Sequence, residues 1–170
     1  MNRRPDRSEF AEYYATYIDQ AVGEDINGIL ATQEREAIAT LSAITEDRSL
    51  YRYAPGKWSI RETVSHMTDA ERAFVFRAFW FARGLEGPLP SFDQNVAVAH
   101  ADADSISLAD HVAEFAAVRG ATRQFFLHLR DDAWSRTGVA SGNQFTVRAL
   151  AYITAGHVAH HLRVLKESCL

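Results

Sequence analysis

Ala155-Gly156-His157-Val158-Ala159-His160-His161-Leu162 sets two imidazoles, those of His157 and His161, four residues apart. On a helix that spacing stacks the side chains on one face with Cβ atoms about 5–6 Å apart, close enough to share one cation. The flanking residues read as such a helix. From Thr146 to Leu165 the residues Val147, Leu150, Ala151, Val158 and Leu165 fall on one apolar stripe when the chain is stepped at about 100° per residue. His157 and His161 lie inside the stripe and His160 at its margin. Each inward imidazole needs a partner, because an unpaired buried polar group costs about 1–3 kcal/mol. A shared cation satisfies both, and so does a hydrogen-bonded polar layer without an ion. A third ligand has to come from another helix. Gly156 and Ala155 keep the backbone thin where something must approach.

Outward from this helix, the 170 residues are 47% hydrophobic with four prolines, enough for one domain, residues 1–170, with a full core. No run reaches the roughly 18 apolar residues of a membrane span, and Met1-Asn2-Arg3-Arg4-Pro5-Asp6-Arg7 leads into polar sequence rather than a signal-peptide core, so a cytoplasmic location is expected. A net charge of −4 offers no basic footprint for nucleic acid. The single cysteine, Cys169, excludes an internal disulfide and a thiolate metal cluster. Any metal site is therefore built from His, Asp or Glu.

Three further helices precede the histidine helix. Phe10, Tyr13, Tyr14, Tyr17 and Ile18 suggest a short leading helix or extension over Ser8–Gln20. Asp25–Ile44 is the first full helix, with Ile26, Leu30, Ala37, Leu41 and Ile44 on one face. Pro55-Gly56 breaks the chain, and Ser59-Ile60-Arg61-Glu62 is a capping box that starts the second helix at Ser59. Its stripe is Ile60, Val64, Met67, Phe74, Ala78 and Phe81. His66 lies on the flank between the small residues Thr63, Ala70 and Ala73, where it is either the third ligand or a half-exposed surface residue. Glu71 falls mid-stripe, so its carboxylate must be paired, protonated or metal-bound. Arg119 is equally central on the third helix, Ser107–Leu129, which predicts a buried Glu71–Arg119 ion pair. About twenty residues, Arg83 to Ala103, join these two helices, where two to eight is common, which implies a crossover between parallel neighbours. Asp93 and Gln94 in that connection are candidates for a site mouth. His100 reads as surface, His111 as the rival of His66 for the third ligand, and His128 as without a role. Gly138 to Asn143 reads as a turn, and no strand-like period-two stretch of any length is apparent. The expected class is all-α, an antiparallel-type four-helix bundle with a long crossover between helices two and three.

Lys57-Trp58-Ser59-Ile60-Arg61-Glu62, His66, Asp69-Ala70-Glu71-Arg72, Phe92-Asp93-Gln94 and Gly156-His157-Val158-Ala159-His160-His161, taken together and in order, closely resemble the DinB-like (YfiT-like) superfamily of metal-dependent enzymes. The resemblance runs from about Leu30 to Leu165. It implies that His66, His157 and His161 bind a divalent cation such as zinc or nickel at one end of the bundle, and that the protein is a homodimer, for which the aromatic N-terminal segment would suit the interface. It also implies a metal-dependent hydrolase, or an S-transferase using a low-molecular-weight thiol of the bacillithiol or mycothiol type. Three neutral imidazoles leave a cation an open position, which suits activation of water or thiol. Asp69, three residues after His66, is placed to orient a ligand imidazole, and His160 is a candidate for the same supporting role. The alternative is a non-catalytic, metal-stabilised binding or stress-response module. Glu-x-x-His pairs of a di-iron bundle, His-Glu-x-x-His, a Walker loop and a nucleophile elbow are all absent from the sequence.

Overall fold

Each of the four long helices starts at a residue whose side chain accepts a backbone N–H that the helix itself leaves unpaired. Asp25 opens α2 (Ile26–Ser42), Ser59 opens α4 (Ile60–Ala82), Ser107 opens α6 (Leu108–Leu127) and Thr146 opens α7 (Val147–Ser168). At Ser59 the capping box is complete, with Glu62 N–H on the serine Oγ at 3.0 Å and Ser59 N–H on the Glu62 carboxylate at 2.8 Å. The computed structural model describes residues 3–169. Between the long helices lie the short α1 (Ala15–Ile18), α3 (Glu46–Ser49) and α5 (Gln94–Ala101).

The directions of the four long helices follow from their cross-links. Arg61 reaches the Asp104 carbonyl just before α6, and Arg72 reaches Glu114 further along, so α4 and α6 run parallel. Gln33 donates to the Ala155 carbonyl and Arg48 to that of Cys169, so α2 and α7 are parallel too. Across the pairs, Glu46 accepts from Leu108 N–H while Glu34 holds Arg123, which makes α2 antiparallel to α6. The bundle is thus two parallel pairs packed against each other in opposite directions, not an alternating array. The long crossover that this needs is partly helical, since α5 packs against α4.

Two apolar clusters fill the interior. One joins Ile26, Leu30, Phe74, Phe81, Phe126, Phe145 and Leu150; the other joins Leu41, Ile60, Met67, Phe115, Val158 and Leu165. Between them lies a polar layer. Arg119, fully buried, donates through Nε and Nη2 to Glu71 at 2.8 and 2.7 Å and through Nη1 to Gln33 Oε1 at 2.8 Å. Gln33 passes its own N–H to Ala155 O at 2.8 Å, so one chain of hydrogen bonds touches α6, α4, α2 and α7.

Two expectations are corrected. A β-hairpin, β1 (Thr137–Ala140) paired antiparallel with β2 (Asn143–Thr146), occupies the stretch read as a plain turn. Its two-residue loop, Ser141-Gly142, has φ of 51° and 73°, the left-handed pair that a tight hairpin needs. Four-residue strands are too short to print a period in the sequence. The second correction concerns α7, which is buried around its whole circumference from Val147 to Val158 rather than along one stripe. The N-terminal segment covers its outer side, with Tyr14 against Phe145 and Arg148 paired to Glu9 at 2.6 Å. Phe10, Ala15 and Ile18 are therefore spent in the chain's own core. Of that aromatic segment Tyr13 is left well exposed.

Candidate metal centre

His66 sits in the second turn of α4, and His157 and His161 lie one turn apart on α7. Antiparallel packing of these helices brings the three rings together in the polar layer. His66 Nε2 is 3.0 Å from His157 Nε2, which is 3.1 Å from His161 Nε2. Two nitrogens each about 2.1 Å from one ion, at angles between about 90° and 110°, stand roughly 3.0–3.4 Å apart. These two spacings fall in that range, and the ligand atoms of all three residues lie within 4.8 Å of one another. Hydrogen bonding alone serves the cluster poorly, because a ring nitrogen carries one proton or one lone pair and His157 Nε2 has two neighbours to satisfy.

The surroundings keep the rings neutral. Burial lowers His66 to a pKa of about 4. Burial, followed by repulsion from His161, His66 and His160, pulls His157 well below its usual value. Burial and then His66 and His160 take His161 down to about 3. Near pH 7 all three are uncharged, the form that donates a lone pair to a metal. Aromatic rings enclose them: Trp58 lies 4.8 Å from the His66 ring, Phe74 5.6 Å and Tyr17 5.3 Å from that of His157. This enclosure explains why His66, on the flank of its own stripe, is only 2% exposed.

The other candidates fall elsewhere. Asp69 pairs with Arg72 at 3.1 Å, and among the described residues it makes no hydrogen bond to an imidazole. The Nδ1 atoms of His66 and His157 are buried without a hydrogen-bond partner among the described residues. His160 is half-buried at the rim, with its Nδ1 3.5 Å from the Gln20 amide and its ring against Tyr17, so it too makes no hydrogen bond to the cluster. His111 is buried but bonded to the Ala103 carbonyl at 2.9 Å, outside the histidine group. His100 and His128 are exposed, each on a carbonyl of its own helix or the turn before it. Asp93 caps α5, whereas its neighbour Gln94 reaches the site. Glu71 and Arg119 form the pair already described.

Two cavities meet at the cluster. One, about 410 Å³, is lined by Lys57, Trp58, Gln94, His160 and His161. The other, about 290 Å³, is lined by Tyr17, His66, Phe74, Arg77, Gln94 and His157. Neither lining includes an aspartate or glutamate. The sequence gives Trp58, Tyr17 and Arg77 no place at the site, although Trp58 and Tyr17 belong to stretches it marks out. Arg77 alone carries a local signal there, since eleven residues on a helix return to nearly the angle of His66.

The family model of the DinB superfamily matches residues 29–165. The chain belongs to the DinB superfamily. Among solved structures it is similar to YfiT from Bacillus subtilis, at a TM-score of 0.71 and 15% identity over 97% of this chain and 91% of that one. That protein is described as a probable metal-dependent hydrolase with an unusual four-helix bundle topology. At this identity the likeness to YfiT speaks for the fold, and the paired parallel helices of this DinB-superfamily chain accord with it. No curated protein matches the sequence.

Proposed function

We propose that His66, His157 and His161 hold a divalent cation, zinc or nickel, and that the protein is a metal-dependent enzyme acting on a small molecule by hydrolysis or thiol transfer. The observation that carries this reading is the convergence of three neutral Nε2 atoms, 3.0–3.1 Å between neighbours, where two cavities meet. Three imidazoles with no charged ligand suit zinc, nickel, copper or iron, and three protein ligands leave room for a reactant. A bound divalent cation supplies Lewis acidity, which makes water or a thiol nucleophilic near neutral pH. The chain's own residues do the rest. Trp58, Tyr17 and Phe74 keep bulk water from the imidazoles, and Gln94 stands between the two cavities with an amide able to donate and accept. With no carboxylate in either lining, no side-chain acid serves as general base, and the nucleophile's proton passes to His160 at the rim or to solvent.

Metal analysis of protein purified without a polyhistidine tag tests this reading, set against a His157→Ala, His161→Ala double variant. About one equivalent of zinc or nickel is expected in the parent and none in the variant. A cation at a hundred times its Kd stabilises by about 2.7 kcal/mol. At about 2–4 °C per kcal/mol for a chain of this size, Tm is expected to fall by roughly 5–10 °C on chelation. Equal, near-zero metal in both proteins would end the proposal.

A further inference from the structure

Arg77 is 5% exposed, yet no carboxylate among the described residues pairs with it. Its Nη2 donates to the Pro90 carbonyl at 3.1 Å and to Ser141 Oγ at 2.9 Å, both neutral acceptors. The other strongly buried arginines differ: Arg119 is matched by Glu71 and Arg148 by Glu9. A guanidinium stays charged at any ordinary pH, and a buried charge is costly unless an opposite charge meets it. Burial pulls its pKa down and the nearby Tyr14 hydroxyl offsets part of this. Arg77 also lines the cavity of about 290 Å³ that His66 and His157 line.

We propose that Arg77 binds the carboxylate of the substrate, whose reacting group lies at the histidine cluster, so that the enzyme acts on small carboxylate-bearing molecules. This rests on reading the cluster as a cation site. One buried positive charge matches a monoanion, whereas a phosphate dianion at Arg77 would bring a surplus negative charge to a place where the lining offers no second arginine or lysine. Length is set by the helix: eleven residues at about 1.5 Å each separate the Cα atoms of His66 and Arg77 by about 16 Å. Both side chains lean toward the start of α4, as helical side chains do, and the longer arginine reaches back further than the imidazole, which shortens the gap between the two ends. A chain of several carbons between carboxylate and reacting group spans what remains.

Calorimetric titration of the zinc-loaded protein with 6-mercaptohexanoate and with 6-mercaptohexanol tests this, the thiol serving as the metal-seeking end of both probes. The carboxylate is expected to bind at least tenfold tighter than the alcohol, and mercaptoacetate, too short to reach both ends, to lose most of that advantage. In Arg77→Met the preference should drop below twofold, and Arg77→Lys should keep part of it, with circular dichroism confirming that each variant is folded. Equal affinity of the two six-carbon thiols for the parent protein overturns the inference and leaves the metal reading standing. If the protein takes up neither zinc nor nickel, the metal reading fails instead. Arg77 is then tested on the metal-free protein by thermal shift with hexanoate against hexanol, where stabilisation by hexanoate that vanishes in Arg77→Met upholds the carboxylate site and equal shifts overturn it.

Discussion

Gly156 has no room for a side chain. A Cβ there would stand 1.9 Å from the Tyr17 carbonyl oxygen and 2.4 Å from its carbon, both backbone atoms that cannot swing aside. Gly156→Ala should therefore push the Tyr17 backbone off α7, with a loss of about 1–3 kcal/mol as in other overpacked sites. It should also loosen the cover over His157, seen as a lower urea midpoint together with faster proteolysis within residues 10–20. The sequence does show that something approaches the backbone at Gly156, but not that it is Tyr17, which lies 139 positions upstream. His66 presents the same difficulty. Its flank position is visible from periodicity, whereas the Trp58 ring that encloses it sits in a loop that no periodicity reaches. His157 and His161 were legible because both fall within one stripe of a single helix.

Among the elements, the N-terminal segment is held by the burial of Phe10, Ala15 and Ile18 and, at its start, by an ion pair of Glu9 with Arg148, assisted by Thr146 Oγ1, which donates to Glu9 at 2.7 Å. Burial raises the Glu9 pKa, but the hydrogen bonds from Arg148 and Thr146 outweigh it and leave the carboxyl below its usual value. A carboxyl that is more acidic in the folded chain stabilises fully above its unfolded pKa, about 4.3, and loses that contribution as pH falls through the folded value. The start of the segment, around Glu9, should thus loosen in acid before the bundle melts. Protease sensitivity near residues 10–20, followed from pH 6 to pH 3, should rise below about pH 4. In Glu9→Gln the segment should already be labile at pH 6 and show no such step. The four long helices were plain in the sequence through their caps and stripes. The hairpin was not, because four residues per strand, with Val139 its only β-branched apolar residue in β1, give no alternation to detect.

For the molecule as a whole, the layer of Gln33, Glu71 and Arg119 divides the interior into two apolar clusters and fixes how the four helices meet. Removing one member of a buried pair strands the other, at about 3–5 kcal/mol. Glu71→Leu should cost that much in chemical denaturation. A Glu71→Leu, Arg119→Met double variant should recover much of the loss, and a double variant no more stable than the single would show that the arginine's burial costs little. This layer was readable in outline, since a glutamate and an arginine each interrupt an apolar stripe at its centre. Gln33, which carries the chain on to α2 and α7, gives no such sign, because a glutamine beside a helix face is ordinary. The placing of α7 at the heart of both clusters has a consequence for biosynthesis. A ribosome delivers α2, α4 and α6 first, with the surfaces that α7 will cover still wet, and at about 5–20 residues per second the last helix follows over roughly one to four seconds. Until α7 has emerged the chain has no closed interior and holds one histidine of the three, so closing of the core waits for α7, and any cation that needs all three imidazoles waits with it.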